Sequence, residues 1–359
     1  MINNNSPLYL QIKKYLEKEI DAGIYKAHDQ LPSEIELAKK FNVSRITSKN
    51  AILQLVEDGK VYRIPGKGTF VGEPNVRQSN SQQNKRPIIG LIMPEIADRY
   101  CSQILSSIEN VVTNSGYSLM IQQSHHYIDV EKQAIQALLN DGAEGLIIFP
   151  VDDEVYNEKI LRLTLDQFPL VLIDRYLSGI ETPAVYSDNV QGAYELTKIL
   201  LAKNHLKIGL FSAPNFETAT VEDRIKGYEK ALDESGIPID RSIWFTELLH
   251  ENPLERAISF LQDNPDITGI FAMNAYAGEI AYKAAKSLGK QIPEEFLIAS
   301  FDQEHDLDIY PIYTAKQDSV QIGEKSVELL QTLLQQKAKQ TVEQIVLPVN
   351  ICFKSRWPN

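Results

Sequence analysis

The stretch LPSEIELAKKFNVSR, residues 31–45, contains the starts of two helices separated by a tight turn. Ser33 can cap the first helix, and Glu36 three residues later completes a capping box. Asn42 tolerates the left-handed backbone conformation that a tight turn requires. Ser44 can cap the second helix. Two short helices joined in this way predict a helix-turn-helix.

The flanking segments add a third helix and a hairpin. On the N-terminal side, Leu8, Ile12 and Leu16 recur at helical spacing. On the C-terminal side, the strand-like segments at residues 60–64 and 69–71 flank the turn PGKG. Three helices followed by a hairpin is the order of a winged helix-turn-helix.

The start of the second helix of the pair carries residues suited to reading DNA. In a helix-turn-helix this end enters the major groove, where Arg and Lys can address guanine. Arg45 and Lys49 share one face there, because residues four apart are neighbours on a helix. We therefore expect this helix to contact bases.

The hairpin segment IPGKGTFVG, residues 64–72, raises the alternative of a nucleotide-binding loop. Such a loop needs a glycine five places before its Gly-Lys pair, where Val61 stands, and Ser or Thr after the lysine, where Gly68 stands. The segment also precedes a strand instead of opening a helix. We interpret it as a hairpin tip, where Gly66 and Gly68 allow close backbone approach and Lys67 offers charge to a DNA phosphate.

Charge is distributed unevenly along the chain. The 359 residues carry a formal net charge of −12, yet residues 1–75 contain 11 Lys and Arg against 9 Asp and Glu. Between residues 36 and 71, 7 basic residues face 3 acidic ones. The N-terminal part can therefore attract DNA although the whole chain is acidic.

The composition is that of a globular protein with a sizeable core, since 43% of the residues are hydrophobic and 23% are charged. The length predicts two or three domains. The N-terminus does not resemble a signal peptide, and apolar runs are too short to span a membrane. Cys101 and Cys352 do not form a disulfide framework. We expect a cytoplasmic protein that does not bind membranes.

A polar segment divides the chain. Its low apolar content predicts an exposed linker at residues 73–87, between a winged helix-turn-helix domain at 1–72 and a larger domain at 88–359. In the larger domain, apolar strands alternate with amphipathic helices, which is typical of a parallel sheet covered on both faces. The alternation restarts once. We therefore predict an α/β fold with two doubly wound lobes and a ligand cleft between them.

Polar side chains follow the predicted strands of both lobes. Ligands of such sheets bind at the carboxyl ends of the strands, where these residues collect. Carboxylates, amides and arginines beside aromatic rings suit a hydroxyl-rich ligand such as a sugar. The candidate effector-binding residues are Arg99, Tyr100, Ser124, Asp152, Asp174, Arg175, Arg224, Asn274, Asp302 and Gln317.

Sequence patterns of common enzyme sites are missing. The segment HHYIDVE at residues 125–131 lacks the spacing of an H-E-x-x-H zinc site, and so does the pair His250 and Glu251. The chain also contains no G-x-S-x-G nucleophile motif. We expect no catalysis, no cofactor and no metal.

The N-terminal segments PLYLQIKKYL, LPSEIELAKKFNVSR and GKGTFV resemble the DNA-binding domain of the GntR family of bacterial transcription regulators. The resemblance implies that the start of the recognition helix contacts the operator and that the glycine at the wing tip reaches the minor groove. Ile35 stands where many members have Arg, and Lys49 replaces a usual Arg, so its contact shifts toward phosphate. The candidate DNA-binding residues are Glu34, Ser44, Arg45, Thr47, Lys49, Gly66, Lys67 and Gly68.

The larger domain resembles the effector domain of the LacI family and the periplasmic sugar-binding proteins. The segments VLIDR, YSDNVQGAYELTKILL, EDRIKGYEKAL, IPEEFLIASFD and YTAKQDSVQIGEKSVELL carry the resemblance. It implies a type I periplasmic-binding-protein-like fold in which Arg224, Asn274 and Asp302 contact the effector and Gln317 lines the cleft. Ala275 stands where the family usually has Asp, which affects ligand identity.

Together these resemblances imply a homodimeric transcription regulator that binds double-stranded operator DNA. A GntR-type head on a LacI-type body is also the build of the L-arabinose-responsive repressors of Gram-positive bacteria, so we expect a repressor of carbohydrate-utilisation genes released by a sugar. Two alternatives stay open at this point. One is a regulator that senses a non-sugar molecule such as a nucleoside or purine, and the other is a sugar receptor.

Overall fold

The structure is a computed structural model of the whole chain. It describes residues 7–64, 67–72, 86–151, 156–214, 218–302, 310–335 and 342–353. Most of the predicted linker, residues 73–85, lies outside the described residues. Within these ranges, the helices are too short or too polar to cross a membrane.

Residues 7–72, which we call the head, form three helices and a hairpin. Ile12, Leu16 and Leu55 are fully buried in a small core shared by the helices and the hairpin. Gly59 has a positive φ of 68° just after the third helix, a conformation that commonly ends helices. The elements are α1 (Leu8–Asp21), α2 (Glu34–Phe41), α3 (Arg45–Glu57), β1 (Val61–Ile64) and β2 (Gly68–Val71), and the two strands pair antiparallel.

Residues from Ile88 onward, which we call the body, alternate between strands and helices as predicted. The helices are α4 (Arg99–Asn114), α5 (Ile128–Asn140), α6 (Glu158–Leu165), α7 (Asn189–Ala202), α8 (Ala219–Asp233), α9 (Pro253–Asp263), α10 (Ala275–Ser287) and α11 (Ser319–Gln335). The strands are β3 (Ile88–Met93), β4 (Ser118–Gln123), β5 (Ala143–Ile148), β6 (Leu170–Ile173), β7 (Ala184–Ser187), β8 (Ile208–Phe211), β9 (Trp244–Phe245), β10 (Gly269–Ala272), β11 (Leu297–Phe301), β12 (Tyr313–Lys316), β13 (Gln344–Leu347) and β14 (Asn350–Phe353).

The body strands form two six-stranded sheets, one in each lobe. Lobe 1 has the order β13-β7-β6-β5-β3-β4 and lobe 2 the order β14-β12-β11-β10-β8-β9. The pairs are parallel except for β12 with β14. Every side chain of β6, β10 and β11 is buried, because helices cover both faces of each sheet. The predicted fold class, a winged helix-turn-helix followed by two doubly wound α/β lobes, is confirmed.

The two lobes are interleaved along the chain. The chain crosses from lobe 1 to lobe 2 between β7 and α7, returns between β12 and α11, and crosses again between β13 and β14. Helix α11 belongs to the core of lobe 1, where Leu330 is fully buried. A Cβ atom built on Gly145 of β5 would lie 3.0 Å from Leu330 Cδ1, so this glycine lets α11 pack directly on the sheet.

Helices α7 and α8 of lobe 2 approach each other closely at Gly227. A Cβ atom built there would lie 2.2 Å from the carbonyl oxygen of Val190, a distance that no side chain could occupy. The contact brings the start of α7, with Asn189, beside Arg224, which lies one turn before the glycine on α8. The close packing therefore positions the polar residues described next.

Candidate functional site

The helix pair of the head is built by local capping, as its sequence predicted. The side chain of Ser33 accepts a hydrogen bond from the Glu36 amide, and Glu36 accepts one from the Ser33 amide, so the capping box is complete. Asn42 has a left-handed φ of 53° in the turn. Ser44 caps α3 by accepting a 3.1 Å bond from the Thr47 amide. These bonds fix the start of the recognition helix.

Glu34 connects the recognition helix to the hairpin. Its carboxylate accepts a 3.3 Å hydrogen bond from Arg45 Nε and a short one from Arg63 Nη2. The Arg45 side chain nevertheless remains 69% exposed. Glu34 therefore holds Arg45 without covering it, and the DNA contact expected for this glutamate stays a prediction.

The hairpin tip exposes Lys67 and Gly68. The Gln30 side chain donates a 2.9 Å hydrogen bond to the Lys67 carbonyl. Gly68 has a φ of 127°, a backbone conformation that favours glycine, and a Cβ atom there would displace the end of the Gln30 side chain. Gly66, the third predicted residue of the tip, lies outside the described residues.

Thr47 and Lys49, two of the predicted operator contacts, lie against lobe 1 of the body. Thr47 Oγ1 donates a 2.7 Å hydrogen bond to Asp166 Oδ2 at the end of α6. Lys49 Nζ donates a short hydrogen bond to Asn140 Oδ1 at the end of α5. The sequence predicted both side chains as operator contacts, and in this structure Thr47 is only 6% exposed.

Arg224 is the centre of the lobe 2 side of the cleft. It is 7% exposed, donates a 2.8 Å bond from Nε to Asn189 Oδ1, and donates a 2.5 Å bond from Nη1 to the Met273 carbonyl. Its guanidinium stacks 3.9 Å from the ring centre of Phe301. Burial lowers the pKa of Arg224, and the nearby carboxylates of Asp302 and Asp174 oppose this effect. The side chain is thus held rigidly as a cation.

A polar network joins the ends of β6 and β11. Gln317 Nε2 donates a 2.7 Å bond to Asp302 Oδ2, and the Tyr100 hydroxyl lies 3.4 Å from Gln317 Oε1. The same hydroxyl donates a 2.5 Å bond to Asp174 Oδ1. Because Tyr100 and Asp174 belong to lobe 1 and Asp302 to lobe 2, the network crosses the cleft.

Asp174 and Asp302 occupy equivalent strained positions in the two lobes. Each directly follows the last residue of a central strand and has a left-handed φ, 64° for Asp174 and 58° for Asp302. Such a conformation is unfavourable for aspartate and is concentrated at binding sites. Burial raises the pKa of Asp302 to about 6, although the charge of Arg224 opposes the rise. Burial and the neighbouring carboxylates also raise the pKa of Tyr100.

The other predicted effector-binding residues lie at the ends of strands and at the starts of helices, except Asp152, which the structure does not describe. Arg99 begins α4, next to Tyr100. Arg175 donates a 3.0 Å bond to the Pro150 carbonyl and lies 5.2 Å from the Phe149 ring centre. Ser124 is fully buried and its hydroxyl points to the Met93 carbonyl, while Asn274 caps α10 by accepting from the Ala277 amide. Asp152 lies outside the described residues.

Sequence reasoning missed three residues of the cleft, Asn189, Phe301 and Tyr176. The Tyr176 hydroxyl donates a 2.8 Å bond to Asp223 Oδ2, which links lobe 1 to lobe 2. Asn189 and Phe301 lie within the segments that carried the family resemblance, directly after Asp188 and directly before Asp302. Proximity to a predicted site residue was therefore the available signal for Phe301, and also for Tyr176, which follows Arg175, whereas Asn189 had only the resemblance of its segment.

Comparison with known proteins agrees with this architecture. Residues 86–350 match the model of the periplasmic binding proteins and sugar binding domain of the LacI family, and residues 8–71 match the bacterial regulatory proteins of the gntR family.

Two relatives are named arabinose metabolism transcriptional repressors. The one from Halalkalibacterium halodurans is 29% identical over 345 residues, which covers 92% of this chain and 90% of the relative. The one from Geobacillus stearothermophilus is 27% identical over 352 residues, covering 95% and 94%.

Solved structures share the fold of the body. A LacI family transcriptional regulator from Enterococcus faecium with bound ribose is 25% identical with a TM-score of 0.63, covering 75% of this chain and 98% of that one. The regulator CcpA of Lactococcus lactis has a TM-score of 0.68 at 21% identity, covering 76% and 100%. The chain therefore belongs to the family of periplasmic binding proteins and LacI-type sugar-binding domains, with a GntR-type DNA-binding domain at its N-terminal end.

Proposed function

We propose that this protein is a transcription repressor that binds operator DNA through its head and leaves it when a sugar binds between the lobes. The observation that carries this proposal is a cluster of polar side chains from both lobes, Tyr100, Asp174, Arg224 and Asp302, in a chain whose N-terminal domain is a helix-turn-helix. The Tyr100 hydroxyl of lobe 1 lies 3.4 Å from Gln317 Oε1, and Gln317 donates a hydrogen bond to Asp302 of lobe 2. Arg224 stacks on Phe301, the residue directly before Asp302, so these side chains lie together where the two lobes meet.

The chemistry of this cluster suits a polyol. The planar guanidinium of Arg224 can donate to two neighbouring hydroxyls, and the carboxylates of Asp174 and Asp302 can accept from others. A ligand that contacts both lobes favours the closed form by its differential affinity for closed over open. Closure then changes the spacing of the two heads, and in this way sugar binding between the lobes is coupled to DNA binding by the heads.

A pentose is the sugar class that we propose. Two relatives are named for arabinose metabolism, and one solved neighbour holds ribose. We therefore place L-arabinose first in the panel of sugars to be tested. Cytidine is included in the same panel because a nucleoside is the alternative class of effector.

We further propose a homodimer that acts in the cytoplasm as a binding protein without catalysis. A single helix-turn-helix covers one half-site, so two heads related by a two-fold axis are needed for a palindromic operator. Sedimentation of the full-length chain should give a dimer that persists when DNA is absent. A stable monomer at micromolar concentration would contradict this part of the proposal.

The central experiment is a thermal-shift screen followed by release from DNA. A sugar at 100 times its Kd stabilises the native state by about 2.7 kcal/mol, which moves the unfolding midpoint measurably. The stabilising sugar should then dissociate the protein from operator DNA in a gel shift. Stabilisation by cytidine and not by any sugar would favour nucleoside sensing, and stabilisation without release from DNA would contradict a repressor role.

A further inference from the structure

The recognition helix α3 is packed against the body at the atoms it would use on DNA. Thr47 Oγ1 bonds to Asp166 and Lys49 Nζ bonds to Asn140. Ile46, directly before Thr47, packs on the apolar core of lobe 1 that includes Leu163. One turn of the helix is therefore engaged through polar and apolar contacts together.

The contact continues along α3 and reaches α1. Asn50, Leu53 and Tyr9 line a narrow gap whose other wall is formed by Glu144 and Phe168 of lobe 1. Burial raises the pKa of Tyr9, and the charge of Glu144 adds to the rise. The whole length of the recognition helix thus lies along lobe 1.

The lobe 1 surface presents groups of the kind that DNA presents. Asp166 accepts a hydrogen bond from Thr47. Burial lowers the pKa of Lys49, and the carboxylate of Asp141 is among the charges that oppose this effect. Asn140 offers an amide oxygen to that ammonium, as a base edge would. Asp166 and Asn140 thus offer α3 two hydrogen-bond acceptors, as a DNA groove does, although Lys159 and Arg162 lie beside them on the same surface.

Resting on the function proposed above, we propose that lobe 1 carries a docking site for the recognition helix and that this site competes with operator DNA. Thr47 and Lys49 cannot bond to lobe 1 and enter a major groove at the same time. The free protein therefore divides between a docked form that is silent toward DNA and an undocked form that binds. Because only the undocked form binds, the measured affinity for DNA equals the affinity of that form multiplied by its fraction of the protein.

Body variants test the competition without altering the DNA-reading surface. We would replace Asp166→Ala and Asn140→Ala in the full-length protein, singly and together. Affinity is measured for a duplex that the wild-type protein selects from a random pool. Since each lost bond frees part of the docked population, we expect each single variant to bind about threefold tighter and the double variant about tenfold tighter.

The matched control is Asp266→Ala in lobe 2. The Asp266 side chain is 81% exposed, so its removal changes the net charge as Asp166→Ala does and leaves the docking site intact. The control should show less than a twofold change. An equal gain from the control and from Asp166→Ala would assign the effect to net charge and overturn the docking proposal.

A covalent cross-link tests the proposal in the opposite direction, because it holds the recognition helix on lobe 1 instead of releasing it. Asn50 of α3 and Glu144 of lobe 1 lie on opposite walls of the narrow gap. We would replace both by cysteine, in a chain whose Cys352 is replaced by Ser, and join the two new thiols with a short bismaleimide. The bridged protein should lose DNA binding, while each single-cysteine protein treated with the same reagent should keep it. Full DNA binding by the bridged protein would overturn the proposal.

The outcomes separate the two proposals. A wild-type chain that selects no duplex from the pool refutes the repressor function itself. A wild-type chain that selects an operator, together with a double variant of unchanged affinity and a bridged protein that still binds, refutes docking and leaves the repressor function intact.

Discussion

The hydroxyl of Tyr176 in lobe 1 lies 2.8 Å from Oδ2 of Asp223 in lobe 2 and donates a hydrogen bond across the cleft. The bond exists only while the lobes are close together. The ring of Tyr176 is also supported within its own lobe, 4.7 Å from the ring centre of Tyr186. Packing within lobe 1 therefore fixes the ring of Tyr176, and its hydrogen bond to Asp223 stabilises the arrangement in which the lobes are close together.

Tyr176→Phe should weaken sugar binding without affecting DNA binding in the absence of sugar. Loss of one hydrogen bond specific to the closed form costs about 0.5–1.5 kcal/mol, which is about a 2- to 12-fold rise in the sugar Kd by calorimetry. Tyr186→Phe is the control, because its hydroxyl bonds to Gln344 of the same lobe. Equal sugar affinities for the two variants would contradict a closing role for Tyr176.

Arg224→Ala should keep operator binding and lose the response to sugar. A hydrogen bond from a charged group is worth about 1.5–3 kcal/mol, so the sugar concentration needed for release should rise at least tenfold. Arg224→Lys should recover only part of the response, since Lys lacks the planar fork. The control is Arg241→Ala, whose side chain is 70% exposed in lobe 2. Release of the Ala variant at the wild-type sugar concentration would remove Arg224 from the binding site.

Asp302→Asn should stabilise the sugar-free protein at neutral pH and lose this advantage in acid. The pKa of Asp302 is about 6 in the folded protein and 3.8 ordinarily, so the folded state binds its proton more tightly than the unfolded state. The contribution of Asp302 to the free energy of unfolding of the wild-type protein therefore falls as the pH rises from about 4 to 6, and it stays low at higher pH.

Urea unfolding at pH 8 and pH 4 measures the effect. We expect the Asn variant to exceed wild type by about 1–3 kcal/mol at pH 8 and by much less at pH 4. Asp233→Asn, at an exposed position ending α8, is the control and should show no such trend. A constant difference between Asp302→Asn and wild type across this range would exclude a protonation effect.

Arg45→Ala and Lys67→Ala should weaken DNA binding in different ways. An arginine that reads a base contributes about 1–3 kcal/mol, so Arg45→Ala should lower affinity for the operator more than for a scrambled duplex. Lys67→Ala should weaken both duplexes alike and flatten the salt dependence, because a phosphate contact releases counterions. Titrations of both duplexes at several salt concentrations distinguish the two. Wild-type operator binding by Arg45→Ala would show that α3 does not read bases.

The parts of the structure that depend on local sequence were predictable. Ser33, Glu36 and Ser44 cap helices within four residues of themselves, and Asn42 adopts the left-handed turn that its side chain favours. The two lobes were predictable for a similar reason, since covered parallel strands are continuous apolar runs. The head and the body fold class therefore followed from patterns a few residues long.

Contacts between distant segments were not predictable in this way. Thr47 and Asp166 are 119 residues apart, and Tyr176 and Asp223 are 47 apart, so no periodicity relates them. Strands β13 and β14 were also missed, because they are short edge strands with exposed side chains. Edge strands bury one side at most, and the apolar signal that reveals central strands is weak in them.

The interleaving of the lobes affects the order in which a growing chain can fold. The head is made first, and its core needs nothing beyond Val71. Lobe 1 begins at Ile88, and α4 covers part of one face of its sheet, but this cover is not complete until α11, starting at Ser319, leaves the ribosome. A stop codon anywhere between the head and α11 therefore yields a finished DNA-binding module joined to an unfinished sensor. Such a product keeps a folded head that can contact one half-site, but without the completed body it should bind operators weakly and without any response to sugar.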